Sequence, residues 1–600
     1  MTEAYTIFNL VETSDKIFVY PSGGNTATEI IVINRVTDEI SHSTNASQVQ
    51  NVDRIRTIQI VGIVGVIHLI GGPYLLVIKS KVRVGEIRSH VIWQTGEYEC
   101  IPFKRTNLHL AKNQVDYNST YLDMINTVLS TPYFYFSHSY DLSHNVQSLD
   151  SNSPEFFKQS ILERADGRFI WNHRLLSTFN NMIERGQKTK KHHRFCIPLI
   201  HGFVSVSNMT ANARQFKFIL ISRRSWKRAG TRMFSRGIDA NGSVSNFVET
   251  EQIVEHDGDM TSFVQIRGSI PLFWSQRPNL RYKPKPELQQ AHNNAEAYAK
   301  HFNELNLHYG KIVCVNLINQ TGSEGTLHLA FRDQSVESAI PNTRYEAFDF
   351  HHECRKMNWG RLEILMNRLE GEVQEFGYYI RSRGQIHVQE GVFRTNCIDC
   401  LDRTNVVQGM LARINLNNAL RRMNLFMDNE RLENHPDLEY LVKNVWADNG
   451  DVISTEYSGT GALKTDFTRT GKRTYLGALQ DGYNSAVRYL KNNFMDGFRQ
   501  DAIDLFVGNY SVRVKEGVDQ PSPLENRTMK RYAPALFLLV SIAVWAASVI
   551  SYFWNRDSPP EYLVYILFWG LMTFGTGGYM VYFGTEFVDN PVLTDSPKTK

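Results

Sequence analysis

Residues 394–405 read RTNCIDCLDRTN. Within this run, Cys397 is followed by five residues and then by Arg403 and Thr404. A loop of that length can curl around a phosphoryl group so that successive backbone N–H groups point inward, with the cysteine sulfur below the phosphorus and the arginine over two of its oxygens. The spacing therefore predicts a loop that binds phosphate.

The residues on either side predict a strand before this loop and a helix after it. Residues 385–393 carry apolar side chains in a strand-like pattern, and residues 407–414 repeat apolar side chains at helical spacing. Cys397 is therefore expected at a strand–loop–helix junction. The N-terminal end of a helix favours negative charge, which suits both a thiolate and a bound phosphate.

Two other interpretations of the cysteines stay open. Cys397 and Cys400 form a CxxC pair, which also occurs in zinc sites and in redox pairs. The sequence contains no second CxxC, and the His/Cys cluster at 351–354 lacks the spacing of a zinc finger. We expect neither a metal nor a cofactor, because the loop amides and Arg403 can supply the positive potential that a phosphate needs.

The predicted chemistry assigns a role to each residue of the loop. Cys397 attacks phosphorus as a thiolate and forms a cysteinyl-phosphate, which water then hydrolyses. Arg403 stabilises the equatorial oxygens through two hydrogen bonds, and Thr404 donates to the sulfur as it leaves. The other predicted substrate-binding residues of the loop are Ile398, Cys400, Leu401 and Asp402.

An alkoxide is a poor leaving group and needs a proton donor, and the loop offers two carboxyl groups. We expect Asp399 to be the general acid and Asp402 to pair with a basic residue outside the loop. The alternative, that both aspartates are structural, stays open. Cys400 is expected to pack within the loop, and a reversible disulfide with Cys397 that protects the thiolate is the alternative.

The C-terminal region contains two long apolar segments. Residues 533–554 and 562–585 carry no charge, and at about 1.5 Å per residue each is longer than the roughly 30 Å hydrocarbon core of a bilayer. The seven residues between them are too few for a domain, so we expect a transmembrane helical hairpin. Basic residues ahead of the first segment predict that the preceding chain and the tail face the cytosol.

Composition indicates a large globular chain in a reducing compartment. Of 600 residues 42% are apolar, the net charge is +4, and six cysteines are too few for a disulfide framework. The nearly balanced charge does not indicate nucleic-acid binding. No particular protein partner is indicated either.

Patterning divides the chain into predicted regions. An apolar stretch at 58–70 is too short to span a bilayer and, with residues 74–78, predicts a buried hairpin of strands. The alternation of strands and helices after residue 185 predicts an α/β catalytic domain of the cysteine-phosphatase type. The predicted regions are a β-rich subdomain at 1–185, the catalytic domain at 186–505, a juxtamembrane linker at 506–531, transmembrane helices at 532–554 and 562–585, and a cytosolic tail at 586–600.

Residues 394–405 resemble the signature of the Sac-domain phosphoinositide phosphatases. Stretches similar to that family also occur at 266–274 (IRGSIPLFW), 348–354 (FDFHHEC), 446–454 (WADNGDVIS) and 456–467 (EYSGTGALKTDF). The resemblance covers residues 1–505. It implies a β-rich subdomain packed on an α/β catalytic domain, with Cys397 as nucleophile, Arg403 as phosphate ligand and Asp399 as a proposed acid.

The two apolar segments make the chain similar to the integral membrane members of that family. The resemblance implies a multi-pass protein of the endoplasmic reticulum and Golgi membranes with a cytosolic catalytic domain. It also implies phosphatidylinositol 4-phosphate as the main substrate, with the 3-phosphate and the 3,5-bisphosphate accepted. A flexible linker would let the catalytic domain reach its own membrane or an apposed one.

Basic residues outside the loop are candidates for contact with the lipid headgroup and with an anionic membrane surface. Stretches 188–194 and 223–228 are basic, although a solvated face explains such runs equally well. The group that follows the family-like stretch at 456–467 is ranked first for the substrate groove: Lys464, Arg469, Lys472 and Arg473.

Two rival functions are weighed against an active lipid phosphatase. A catalytically silent phosphoinositide-binding tether at membrane contact sites would not need the intact Cys397, Arg403 and Asp399. A protein tyrosine or dual-specificity phosphatase usually carries a histidine before the cysteine and glycines in the loop. Here Asn396 precedes the cysteine, and residues 398–402 contain no glycine.

Overall fold

The computed structural model describes residues 5–23, 29–45, 47–50, 52–182, 191–289, 293–355, 358–470, 474–527, 533–554 and 561–593. Strands within these ranges are β1 (Phe8–Glu12), β2 (Lys16–Pro21), β3 (Ile30–Asn34), β4 (Ile40–Ser43), β5 (Arg56–Ile60), β6 (Gly62–Leu69), β7 (Gly72–Ile78), β8 (Lys81–Ile87), β9 (His90–Thr95), β10 (Tyr98–Pro102), β11 (Phe134–Phe136), β12 (Ile200–Ala211), β13 (Arg214–Arg224), β14 (Val248–His256), β15 (Asp259–Arg267), β16 (Trp274–Ser275), β17 (Glu287–Leu288), β18 (Lys311–Asn316), β19 (Thr343–Ala347), β20 (Tyr379–Ser382), β21 (Gln385–His387) and β22 (Gly391–Asn396).

The helices are α1 (Ser47–Gln50), α2 (Lys112–Leu129), α3 (Val146–Asp150), α4 (Ile161–Arg164), α5 (Ser177–Asn180), α6 (Asn294–Tyr309), α7 (Gly325–Ser338), α8 (Phe350–Glu353), α9 (Leu362–Phe376), α10 (Asp402–Arg422), α11 (Pro436–Ser458), α12 (Thr465–Thr470), α13 (Tyr475–Phe494), α14 (Asp496–Val507), α15 (Ala533–Trp554) and α16 (Glu561–Tyr582).

Two small antiparallel sheets form the N-terminal region. One has the strand order β4-β3-β2-β1-β5 and the other β10-β7-β6. The apolar stretch at 58–70 supplies the end of β5 and all of β6, and β6 pairs antiparallel with β7. The predicted hairpin of buried strands is therefore confirmed.

Most of the remaining strands form one large mixed sheet, and β16 and β17 form a separate pair. Its main path is β19-β18-β22-β15-β14-β13-β12-β11-β9-β8. Strands β8 to β15 on this path pair antiparallel, whereas β22 runs parallel to both β15 and β18. The sheet contains strands from both sides of residue 185, so the two predicted subdomains share it, and the boundary there stays a prediction.

The parallel part of this sheet positions the Cys397 loop. Parallel strands end at the same edge of a sheet, and sites in α/β folds form at the carboxyl ends of such strands. The residues that follow β15, β18 and β22 therefore meet at one edge. Residues 385–393, predicted as one strand, are divided instead between β21, which pairs with β20, and β22, which enters the large sheet.

Helices α15 and α16 are long and apolar enough to cross a membrane. They pack against each other, with Gly570 facing Trp545 and the Thr573 hydroxyl donating to Ser541 Oγ at 3.1 Å. The small glycine lets the two helices approach closely. The predicted pair of C-terminal helices is thus present, with the second ending at Tyr582 rather than at residue 585.

The segment between the catalytic domain and α15 is packed on the domain as far as Arg527. Glu516 accepts hydrogen bonds from the hydroxyls of Tyr121 on α2, of Ser522 and of Tyr510. Leu524 is buried in the core that includes α2. Only residues 528–532 separate Arg527 from α15, which is a reach of about 20 Å when fully extended.

Candidate active site

Cys397 lies at a strand–loop–helix junction, as the flanking pattern predicts. It follows β22 directly, and α10 begins five residues later at Asp402. The N-terminal end of this 21-residue helix therefore points its free N–H groups toward the loop. Cys397 itself is only 3% exposed, so the sulfur lies at the base of the site.

Buried polar residues hold the end of β22 in place. The Arg394 guanidinium donates to the Ser269 carbonyl at 2.7 Å and to His301 Nε2 at 3.1 Å. The Asn396 amide donates to Asn316 Oδ1 at the end of β18, at 2.7 Å. Both side chains are fully buried, where unmade hydrogen bonds would be costly, so these contacts fix the residue before the nucleophile.

A buried arginine of β15 lies close to both loop cysteines. Arg267 is fully buried, and its Nε and Nη1 have no hydrogen-bond partner in the part of the chain that the structure describes. Burial lowers the pKa of Arg267 to about 10. The charges of Cys400 and Cys397 raise that pKa, but burial has the larger effect. At neutral pH this guanidinium is a cation available to a thiolate.

Arg403 is turned toward the connection between β18 and α7. Its Nη1 donates to the Leu317 carbonyl at 3.1 Å and to Asn319 Oδ1 at 3.2 Å. Both Nη atoms donate to the Glu324 carboxylate at 3.2 Å. Burial alone lowers the pKa of Arg403, but the Cys397 and Glu324 charges outweigh it and raise that pKa. Glu324 thus occupies the fork that a phosphate would use.

Asp399 is ion-paired rather than isolated. Its Oδ1 lies 2.6 Å from Arg236 Nη2, and its Oδ2 lies 3.5 Å from Arg232 Nη1. Burial by itself raises the pKa of Asp399, but Arg232 and Arg236 outweigh it and hold that pKa well below its usual range. A carboxyl group in this state keeps its negative charge and holds no proton to donate.

Asp402 has the opposite environment. Burial raises the pKa of Asp402 above its usual value. Arg488 and a hydrogen bond both lower that pKa, but burial has the larger effect. That hydrogen bond comes from the Leu463 N–H, which donates to Asp402 Oδ1 at 3.0 Å. The pairing is therefore the reverse of the predicted one, because the arginines hold Asp399 and a backbone amide holds Asp402.

The other predicted loop residues differ in what they contribute. Ile398 presents its carbonyl to Arg236 Nη1 at 3.0 Å. The Cys400 thiol donates to the Gly268 carbonyl at 3.0 Å, and burial raises its pKa to about 12. Leu401 packs in a core cluster with Tyr457. The buried Thr404 hydroxyl has no hydrogen-bond partner among the described residues, so it is free to donate to the sulfur.

A cavity of about 230 Å³ opens beside the loop. It is smaller than the roughly 300–1,000 Å³ of pockets that enclose whole drug-sized ligands, so its size suits a small polar group. Two carboxyl groups, Asp399 and Asp402, form part of its wall. Its cationic lining residues are Arg232, Arg281, Lys283 and Arg488.

The predicted basic group after residue 463 is only partly brought to this cavity. Lys464 is exposed and follows Leu463, which lines the cavity. Arg469 is committed elsewhere, since its guanidinium donates to Asp448 at 2.7 Å and to Asn444 Oδ1 at 2.8 Å. Lys472 and Arg473 lie outside the described residues. The basic stretch at 223–228 is partly internal, because Arg223 is fully buried between Glu249 and Glu251.

Sequence reasoning missed the cations that do surround the loop. Arg232 and Arg236 come from the connection between β13 and β14, about 160 residues before Asp399. Arg281 and Lys283 come from the connection after β16, and Arg488 comes from α13. The nearest signal was the family-like stretch at 266–274, which contains Arg267 and the tryptophan against which Arg236 stacks, Trp274, at 5.2 Å.

The chain is similar to known proteins over its whole length. It is 43% identical over 601 residues to phosphatidylinositol-3-phosphatase SAC1-B of Danio rerio, with 100% of both chains covered. The chain belongs to the Sac-domain phosphoinositide phosphatase family. Residues 61–355 match the SacI homology domain, which includes β15 and β18 and ends before the Cys397 loop.

Family members from other organisms are similar as well. Phosphatidylinositol-3-phosphatase SAC1 of Drosophila melanogaster is 43% identical over 599 residues, covering 98% of this chain and 97% of that protein. Phosphatidylinositol-3-phosphatase SAC1 of Saccharomyces cerevisiae is 35% identical over 540 residues, covering 87% and 83%. The resemblance seen in the sequence is confirmed. The predicted enzyme class, a phosphatase, is confirmed with it.

Proposed function

We propose that the chain hydrolyses phosphatidylinositol 4-phosphate at a membrane surface, with the 3-phosphate and the 3,5-bisphosphate as further substrates. The observation that carries this proposal is the meeting of the Cys397 loop, the α10 N-terminus and a cationic cavity at one sheet edge. The relatives named phosphatidylinositol-3-phosphatases support a phosphoinositide as the substrate class.

The first chemical step forms a cysteinyl-phosphate. The Cys397 thiolate attacks phosphorus, the bond from phosphorus to the inositol oxygen breaks, and that oxygen takes a proton from a carboxylic acid. The α10 N–H groups and Arg403 stabilise the charge on the equatorial oxygens. For this, Arg403 exchanges Glu324 for the phosphate, because its Nη atoms are occupied in the resting structure.

We assign the proton donor to Asp402 and not to Asp399. A general acid must hold a proton, and the raised pKa of Asp402, caused by burial, supports this role. Asp399 serves instead to hold Arg232 at the cavity and Arg236 beside the loop. In the second step water attacks the phosphocysteine, Asp402 accepts a proton from that water, and the thiolate leaves with inorganic phosphate as the product.

The two C-terminal helices act in this proposal as a membrane hairpin that holds the catalytic domain on the cytosolic face of the endoplasmic reticulum and Golgi. Both helices exceed the thickness of a bilayer core, and the chain segments before and after them lie on the same domain. A hairpin that enters and leaves the membrane on one side requires this arrangement.

The decisive test is phosphate release from vesicles that contain phosphatidylinositol 4-phosphate, measured with the full chain in the presence of a metal chelator. Wild type is expected to release phosphate. Cys397→Ser should release it about a thousandfold more slowly or not at all, since no nucleophile replaces the thiolate. Cys100→Ser, which changes a cysteine of the three-stranded sheet, is the matched control and should match wild type.

The alternative of a silent phosphoinositide-binding tether is supported by one observation, the resting pair between Arg403 and Glu324. Under that alternative wild type binds the vesicles but releases no phosphate. Equal release from wild type and Cys397→Ser would instead refute the assigned nucleophile.

A further inference from the structure

Helix α13 carries an apolar stripe that faces solvent. Five side chains with helical spacing along the helix are exposed, including Leu476 at 77% and Tyr483 at 65%. Residues three or four apart lie on one face of a helix, so these side chains form one continuous surface. The stripe consists of Leu476, Leu479, Tyr483, Ala486 and Leu490.

The opposite face of α13 lines the cationic cavity. Ser485, Arg488, Tyr489 and Asn492 follow the same three-and-four spacing and lie on the cavity wall. At 100° per residue, the two sets of side chains are centred roughly 150° apart around the helix axis. Whatever binds the stripe therefore lies directly beside the cavity, separated from it by the diameter of one helix.

A chain of contacts joins α13 to the end of the C-terminal helix pair. The Tyr489 hydroxyl donates to the Leu280 carbonyl at 2.7 Å, and Asn493 Oδ1 accepts from the Leu280 N–H at 3.2 Å. The Asn493 carbonyl accepts from the Asp589 N–H at 2.6 Å. Gly584 packs so closely on the Asn279 carbonyl that a Cβ at residue 584 would overlap the carbonyl oxygen.

These contacts place the end of α16 beside α13. Residue 584 is two positions after Tyr582, where α16 ends, and it touches the loop that α13 also holds. If α16 spans a bilayer, as the proposed function has it, the membrane surface lies near Tyr582. The loop and the C-terminal end of α13 then lie close to that same surface.

We propose that α13 is an interfacial helix whose apolar stripe binds the bilayer in which the chain itself is anchored. This proposal rests on the proposed membrane anchoring and extends it, because it gives the catalytic domain a second lipid contact and a defined side facing the membrane. Leucine and tyrosine side chains in such a stripe enter the boundary between headgroups and acyl chains, about 5–10 Å deep.

The chemistry beside the stripe favours lipid over a protein partner. The loop between β16 and β17 exposes Arg281, Tyr282 and Lys283, which combine an aromatic ring with two cations. Such residues suit an anionic headgroup layer, which attracts their cations. Their continuity with the membrane end of α16 makes the bilayer the surface that is already present at this place.

The test measures membrane depth at a single probe. The full chain with Leu479→Cys is labelled with an environment-sensitive fluorophore and reconstituted into vesicles with or without brominated lipids. The matched control is Met427→Cys, a residue that is 68% exposed and lies beyond the far end of α10, about 30 Å along that helix from the loop. Labelled wild type gives the background from native cysteines.

Brominated lipid is expected to quench the probe at residue 479 about twofold and to leave the probe at residue 427 unchanged. Equal quenching of the probes at residues 479 and 427 would overturn the proposal. Fluorescence that shows the probe at residue 479 shielded from water, yet not quenched by brominated lipid, would also overturn it, because protein and not lipid would then cover the stripe. This result does not depend on phosphatase activity. As a second measurement, Leu479→Asp should lower the hydrolysis of vesicle-bound substrate about tenfold and leave a short-chain soluble substrate unaffected.

Discussion

Arg527 donates to Asp589 at 2.8 Å and also donates to Asp501, so one guanidinium joins the segment before the first apolar helix to the segment after the second. Asp501 also accepts the N–H groups of Val592 and Leu593. The segments on both sides of the α15–α16 pair are therefore clamped to α14 of the catalytic domain. If the two helices span a bilayer, as the proposed function has it, this clamp limits how far the domain can turn away from that bilayer.

The clamp predicts a large effect of Arg527→Ala. The variant leaves two carboxylates buried without their cation, and breaking such a pair costs about 3–5 kcal/mol. We expect a lower thermal midpoint of the detergent-solubilised chain. Arg513→Ala, which removes an exposed arginine that bonds only Gln520 among the described contacts, is the control. Equal midpoints for the two variants would show that the clamp does not stabilise the chain.

The assignment of the general acid predicts a dependence on the leaving group. Asp402→Asn should slow release of the inositol alkoxide about 10²–10⁴-fold but hardly slow the initial burst of phenolate from an aryl phosphate, because a phenolate leaves unprotonated in the first step. Asp399→Asn should instead raise KM for both substrates, because Arg232 and Arg236 lose their partner. If Asp399→Asn, and not Asp402→Asn, slows release of the inositol alkoxide selectively, Asp399 is the general acid.

The same assignment predicts a pH effect. The pKa of Asp402 is raised by burial, so its protonated, active form persists to higher pH than that of an ordinary aspartate. Activity that depends on Asp402 is lost as pH rises through this pKa. The rate profile of Asp402→Asn with the natural lipid should lack that alkaline loss, whereas a profile identical in shape to wild type would argue against the assignment.

The resting pair between Arg403 and Glu324 predicts competition with phosphate. Glu324→Gln removes the negative charge but keeps the shape, so Arg403 becomes easier to recruit. We expect vanadate, used as a phosphate analogue, to inhibit the variant about fivefold more tightly, which corresponds to about 1 kcal/mol. Glu353→Gln, which breaks a more exposed pair with Arg361, is the control. Weaker inhibition would mean that Glu324 positions Arg403 for phosphate.

Glu456 on α11 predicts a pH dependence of stability. Burial raises the pKa of Glu456 to about 8, although Arg224 and Arg499 lower it. Neither carboxyl oxygen of Glu456 has a hydrogen-bond partner among the described residues. Between its usual value near 4.5 and about 8, the folded chain holds a proton that the unfolded chain has lost. The stability of wild type should therefore fall as pH rises through this window, by at most about 1.4 kcal/mol per pH unit.

Glu456→Gln removes this titration. Its thermal midpoint should change less between pH 5 and pH 8 than that of wild type. Glu433→Gln, at a half-exposed carboxylate that pairs with Arg413, provides the comparison. A wild-type midpoint that rises over the same window would contradict the protonated state of Glu456.

Local features of the site followed from the sequence because they depend on near neighbours. The strand before Cys397, the helix from Asp402 and the spacing to Arg403 all lie between residues 391 and 422, where backbone geometry alone relates spacing to shape. The lengths of α15 and α16 followed in the same way from uninterrupted apolar runs.

Contacts that depend on distant residues could not be predicted from the sequence. Asp399 and Asp402 look alike in the loop, and only the fold brings Arg232 and Arg236 to the first and the Leu463 amide to the second. The apolar stripe of α13 could be read as a core face, since periodicity does not tell which side of a helix meets the protein.

By itself, the sequence determined the strand–loop–helix junction at Cys397, the family and the two apolar helices, since each is encoded in consecutive or evenly spaced residues. Only the tertiary structure decided which loop carboxylate pairs with arginines, which cations surround the cavity, and how the two apolar helices are clamped to the domain. The physical reason is that a pKa or an ion pair depends on charges a few ångströms away in space. In this protein those charges come from strands, loops and helices up to about 170 residues apart.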